Sequence, residues 1–206
     1  MKLKITVALI IAIVALTACR SSKEKAAFVE IPSENSLGSP NAHRNIENIY
    51  YSIPLLTLPL EHGNELIGSF TSLKPLDENT YRMLTDIGDM RSYYNGTNRA
   101  FRLPAKNGLS FLITGYKKDN KEWSFELYSL SDKLSPKDCL LLSSAEAAAD
   151  GKSRIVQSFR ITDDYRVVVA KHLNNTLIEQ LTYMPDANGI IEELGVGKTQ
   201  TVAFES

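Results

Sequence analysis

Two cysteines, three histidines and a few neighbouring acids are the residues of this chain most able to do chemistry. Cys139 opens the apolar run Cys139-Leu140-Leu141-Leu142. A nucleophilic thiolate needs a base or a cation beside it, and Asp138 works against one, so Cys139 reads as a small buried hydrophobe. His43, His62 and His172 have no second His or Cys at ligand spacing, so no metal site is expected and each reads as a solvated polar residue. Asp163-Asp164 and Glu192-Glu193 are adjacent pairs. Neighbours on a strand point to opposite faces, so neither pair makes a carboxylate dyad by itself. Two acids from separate strands can still meet in a cleft.

Three motif fragments fail on context. Gly195-Val196-Gly197-Lys198-Thr199 looks like the end of a phosphate-binding loop, but the first glycine of that motif is replaced by Glu192. Asp186-Ala187-Asn188-Gly189 echoes the start of a calcium loop without its later ligands, and Asn-Gly is better explained as turn chemistry. The only S-x-x-K, from Ser22 to Lys25, lies in a polar segment where nothing positions it, and G-x-S-x-G is absent. No catalytic residue and no cofactor is expected from motifs.

The other cysteine is different. Lys2 and Lys4 precede an apolar run from Ile5 to Leu16, which ends in Leu16-Thr17-Ala18-Cys19. Twelve residues rise about 18 Å as a helix, short of a hydrocarbon core of about 30 Å. The pattern is that of a signal peptide over residues 1–18. The tetrad resembles the lipobox of bacterial lipoproteins. That resemblance implies that Cys19 receives a diacylglyceryl group, that the chain is cut before it, and that the new amine is acylated. Arg20 stands where Asp would mark inner-membrane retention in proteobacterial lipoproteins, so the resemblance favours the outer membrane, with the leaflet open. Beyond the tetrad, the short strands and the Leu58-Pro59-Leu60 entry make the domain loosely similar to uncharacterised lipoproteins of Bacteroidota, a likeness that brings no function with it. With Cys19 acylated, no second thiol remains to bridge Cys139 within the molecule.

Removing residues 1–18 takes away Lys2 and Lys4 and no acid, leaving 21 basic against 24 acidic residues and a formal charge of −3. Such a balance argues against nucleic acid as a partner, which needs a concentrated basic face. Residues 19–45, with Ser, Asn, Pro32, Gly38 and Pro40, read as the lipidated cysteine and a flexible tether. Residues 46–206 read as one β-rich domain.

The elements that would position any site are short strands between strong turn signals. Ile53 to Leu60 suits an edge strand or an extended lead-in around Pro54 and Pro59. Tyr81, Met83, Leu84 and Ile87 suit a short helix or an irregular strand. Asn95-Gly96 predicts a hairpin, and Pro104 to Gly108 predicts another between Ala100–Leu103 and Leu109–Tyr116. Trp123 to Tyr128, Ile155 to Ile161, Tyr165 to Ala170 and Thr176 to Tyr183 read as further strands, with Val202 to Phe204 as a last one. Ser143 to Asp150, rich in Ala and Glu, reads as a helix of two turns. The sum is a mainly β fold: an antiparallel meander forming a β-sandwich or partly open barrel with one or two short helices, or alternatively a propeller-like arrangement.

Aromatic residues are the remaining candidates. Tyr50, Tyr51, Tyr93, Tyr94, Tyr116, Trp123, Phe125 and Tyr128 can serve as core or as a binding platform. Tyr93 and Tyr94, beside the Asn95-Gly96 turn, are the expected exposed members. The expectation is a membrane-anchored envelope lipoprotein whose domain binds a protein partner or glycan without catalysis. The alternatives are a hydrolase of envelope polymer, with carboxylates from separate strands, and a purely structural tethered domain.

Overall fold

The computed structural model describes residues 40–118 and 122–194, with the side chains of residues 40–44 set aside. Cys19, the Gly195–Thr199 run and the strand expected at Val202–Phe204 lie outside the described residues. Two antiparallel sheets face each other. One (sheet A) is the meander β2 (Arg99–Lys106), β3 (Leu109–Lys118), β4 (Glu122–Leu130) and β5 (Pro136–Ser143). The other (sheet B) runs β1 (Leu60–Glu61), β7 (Arg154–Ile161), β8 (Val167–Leu173), β9 (Thr176–Pro185) and β10 (Ile191–Glu193), with β6 (Ala145–Ala147) also pairing β7. The sheets are open at their edges, which makes the fold a β-sandwich rather than a barrel.

The alternation of side chains on strands builds the shared core. Phe101, Leu103, Phe111, Ile113, Phe125, Leu127 and Leu142 project from sheet A onto Phe159, Ile161, Val167 and Val169 of sheet B. Turn chemistry sets the register. Asn107 and Gly108 both have positive φ, 54° and 79°, between the paired Lys106 and Leu109. Asn174 and Asn175, at 49° and 69°, do the same between Leu173 and Thr176. Two left-handed residues in a two-residue loop match the right-handed twist of the flanking strands.

Helices cover sheet A on its other face. α1 (Pro40–Ser52) places Ile46, Ile49 and Tyr50 at helical spacing, with Ile53 just after it, and packs against Ala100, Leu112, Tyr128 and Leu130 together with Leu84 of α3 (Glu78–Thr85). Asp77 caps α3 by accepting the Thr80 N–H at 3.0 Å. Between them in sequence, α2 (Asn64–Ser72) inserts Leu66 and Phe70 into the inter-sheet core. Phe70 needs room on β3, and Gly115 provides it. A Cβ there would stand 2.8 Å from Phe70 Cδ1 and 2.8 Å from Phe125 Cε1.

Several expectations are corrected. Among the described residues three helices form, not one or two, and α1 covers Pro40–Ser52, reaching into the stretch assigned to the tether. Pro40 suits a first helical position because it lacks an N–H that would have no partner there. Ser143–Asp150 is not helical: Ala145–Ala147 pairs with Arg154–Val156, and Asp150 closes the turn by accepting the Ser153 N–H at 2.7 Å. Strand pairing to β7 outweighs the helix preference of Ala and Glu. Asn95-Gly96 joins no hairpin. It lies in the loop between α3 and β2, where Asn95 Oδ1 accepts the Thr97 N–H at 3.0 Å.

Candidate functional site

On β4, Ser124, Glu126 and Tyr128 share the face that looks toward the helices, while Phe125 and Leu127 look into the sandwich. β3 brings Thr114 opposite Glu126 and Tyr116 opposite Ser124. β5 brings Cys139 opposite Tyr128. Tyr81 of α3 descends onto the same spot, fully buried. A carboxyl group is thus ringed by three tyrosines, a threonine and a thiol, half-way under a helical cover.

Tyr128 Oη donates to Glu126 Oε2 at 2.8 Å. Burial pushes the Glu126 carboxyl above its ordinary range, against the opposing pull of the Tyr128 and Thr114 hydroxyls. Burial pushes the phenols up as well. Tyr116 reaches about 12, with the Glu126 charge as the second cause. Tyr81 and Tyr128 move further in the same direction, Tyr128 through burial, then Cys139 and Glu126. Tyr81 Oη and Thr114 Oγ1 are both buried beside this carboxyl.

The edge of this cluster is open. Tyr93 is 53% exposed, and its ring lies 4.9 Å from the partly exposed Tyr116 ring at 48°. The loop carrying Tyr93 is held by Asn98, which is fully buried: its Nδ2 donates to Tyr93 O at 2.8 Å and its Oδ1 accepts the Asn95 N–H at 3.0 Å. Tyr94, the other expected binding residue, turns inward. Its hydroxyl donates to Leu76 O at 3.1 Å and its ring packs 5.8 Å from Tyr81. Tyr93 and Tyr116, not Tyr93 and Tyr94, form the exposed pair.

The other aromatic candidates divide. Tyr50, Phe125 and Tyr128 are buried, and Tyr50 Oη donates to Phe111 O at 3.1 Å. Tyr51 is exposed elsewhere, with Arg102 over its ring at 5.5 Å. Trp123 lies on the inner face of sheet A, under Arg99 and Lys117.

The titratable candidates are distributed apart. His62 is no solvated turn residue: its ring stacks 5.6 Å from Phe159 and meets Phe125 edge-on at 5.7 Å, and burial lowers its pKa. His172 lies on β8 between Val156 and Leu177. The backbone of His43 belongs to α1. Asp164 accepts from Thr162 in its own turn, and Asp186 accepts the Asn188 and Ile190 N–H groups at 2.8 Å each. Glu192 and Glu193 are exposed on β10. Among the described residues, no three His, Cys, Asp or Glu side chains group as metal ligands, and no helix is long and apolar enough to cross a membrane.

Glu126, Tyr81 and Thr114 escaped the sequence reading. The signal was slight: Glu126 sits two residues before Tyr128, hence on its face, but an acid alternating with apolar residues reads as pointing to water.

Fold and site together define an antiparallel β-sandwich with helices over one sheet and a tyrosine-ringed carboxyl beneath an exposed ring pair. No protein-family model matches the chain, and no curated protein and no solved structure matches it.

Proposed function

We propose that this chain is a lipid-anchored envelope protein, acylated at Cys19 and held at the outer membrane, whose β domain binds a protein partner or a glycan through the Tyr93–Tyr116 face. The observation that carries the reading is the ring pair itself. Two flat aromatic faces lie 4.9 Å apart: Tyr93, 53% exposed, on a loop fixed by a buried asparagine, and Tyr116 on β3. Rings so held offer contact area at low entropy cost, as anchors of interfaces do. The lipobox-like Leu16-Thr17-Ala18-Cys19 supports the anchor, because two or more acyl chains hold a protein stably where one does not.

A second reading draws on Glu126. A carboxyl whose pKa is raised by burial is the kind of group that acts as general acid in glycoside cleavage. That chemistry needs a second carboxylate about 5–10 Å away. Burial, Tyr128 and Thr114 are the influences on Glu126, and no second acid is among them. Binding therefore suits the arrangement better than cutting.

The test has two arms. Cys19→Ser should abolish incorporation of labelled fatty acid, and labelling that persisted would remove the anchor. Cross-linked capture on whole envelopes should recover a partner or glycan with the natural chain and lose it with Tyr93→Ala. Equal recovery with both would remove the Tyr93–Tyr116 face from the proposal.

A further inference from the structure

Trp123 is the only tryptophan of the chain, and it pairs with Lys117 across β3 and β4. The Arg99 guanidinium carbon lies 5.1 Å from its ring centroid and Lys117 Nζ lies 5.7 Å from it. Phe125, stacked at 6.0 Å and 13°, and Phe70, at 5.9 Å, hold the indole from the core side. Arg99, Lys117 and Trp123 are each partly exposed, so solvent reaches the group.

An indole attracts one cation well, but two cations gathered on one ring repel each other. Elsewhere the sheets supply acids to their bases: Glu61 pairs with Arg160 at 3.0 Å and Glu179 with Lys171 at 2.5 Å. Among the described residues no acid pairs with Arg99 or Lys117. Arg99 Nε is moreover buried without a hydrogen-bond partner among the described residues. A buried N–H donor lacking an acceptor is unfavourable, and so is an uncompensated pair of like charges. A negative oxygen ligand reaching the partly exposed side of the group compensates the like charges.

We propose that Arg99 and Lys117, held against Trp123, form a subsite for an oxyanion, the carboxylate of an acidic sugar or a phosphate group. Arginine presents a planar fork that matches either anion, and lysine adds a point charge. The chain carries a formal charge of −1, so this attraction is local and not a property of the whole surface. Asn95 Nδ2 donates to Lys117 O at 2.9 Å, and the Lys117 N–H donates to Thr97 Oγ1 at 2.9 Å. The loop that carries Tyr93 is thereby tied to the strand end that carries Lys117. The subsite itself stands on different residues, and would hold if Tyr93 bound nothing.

Because Trp123 is the sole indole, tryptophan emission of the full chain reports on this site alone. The chain is titrated at low ionic strength with D-glucuronate, inorganic phosphate and D-glucose. The expected result is a saturable change with at least one anion, none with glucose, and binding weakened about tenfold or more in Arg99→Gln and in Lys117→Gln. Urea midpoints near that of the natural chain certify folding, and Lys117→Gln serves alone if Arg99→Gln unfolds. A stronger response to glucuronate assigns the anion to a sugar acid, and a stronger response to phosphate assigns it to a phosphoryl group. No response to either anion, an equal response to glucose, or unchanged affinity in Lys117→Gln overturns the proposal. Tyr93→Ala should keep the anion response, so failure of partner capture and failure of this subsite are separate results.

Discussion

The Tyr128 hydroxyl donates to Glu126 Oε2 at 2.8 Å, two residues away on the same face of β4, and this bond fixes an acid beneath a helix. A carboxyl in that setting keeps its proton longer than it would in the unfolded chain. Its pKa is raised by burial from an ordinary value near 4.5. Between the two pKa values the folded state binds more protons than the unfolded state, so stability falls as pH rises through that window. Below it the contribution is fully present. Glu126→Gln should flatten this slope and be at least as stable as the natural chain above the window. Urea midpoints from pH 4 to 8 test it, and identical slopes for both proteins would show that Glu126 is not the group responsible.

Tyr93→Ala removes one ring of the exposed pair and little else, since its backbone carbonyl, not its side chain, holds Asn98. The expected stability loss is small, about 0.5–1.5 kcal/mol for an aromatic pair. Capture on envelopes should fall far more than that figure implies. A loss of capture matched by global unfolding in circular dichroism would count against a binding role.

Gly115→Ala tests how α2 is seated. The added methyl would lie 2.8 Å from Phe70 Cδ1 and from Phe125 Cε1, both in a packed core. Overpacking of this kind costs about 1–3 kcal/mol. Pairing it with Phe70→Leu should recover part of that loss, because the smaller side chain vacates the contact. Denaturant melts of the single and double variants would show additive losses if the two residues did not meet.

Cys139→Ala removes a partly buried sulfur that faces Tyr128 across the β4–β5 pair. The expected cost is about 1 kcal/mol, by thermal melting, with envelope capture intact. A variant of unchanged stability that lost capture would move Cys139 from packing to function.

The strands were readable where a turn residue declared itself. Asn107-Gly108 and Asn174-Asn175 demand left-handed backbone, and a hairpin follows at each. The strand over Leu109–Tyr116 was legible from its flanking turns and not from alternation. β3 is buried continuously from Leu109 to Gly115, because the sandwich covers one face and α1 and α3 the other, so its pattern shows no alternation. The helical stripe of Ile46, Ile49, Tyr50 and Ile53 was present in the residues but was not read as a helix, and Pro, Asn and Ser before it placed residues 40–45 in the tether. At Asn95-Gly96 the turn chemistry was correct and the partner strand was missing.

By itself the sequence determined a chain of short strands, an apolar run that closes just before Cys19, and the turn positions that fix two hairpins, because these depend on residues near one another along the backbone. Tertiary structure alone decided which polar groups meet. Glu126, Tyr81 and Thr114 converge from a strand, a helix and another strand, and Arg99, Lys117 and Trp123 from three neighbouring strands. Neither gathering has a local signature. Each depends on which face is covered and which strands are adjacent, and those are settled only when the core of Phe70, Phe111, Phe125 and Phe159 closes.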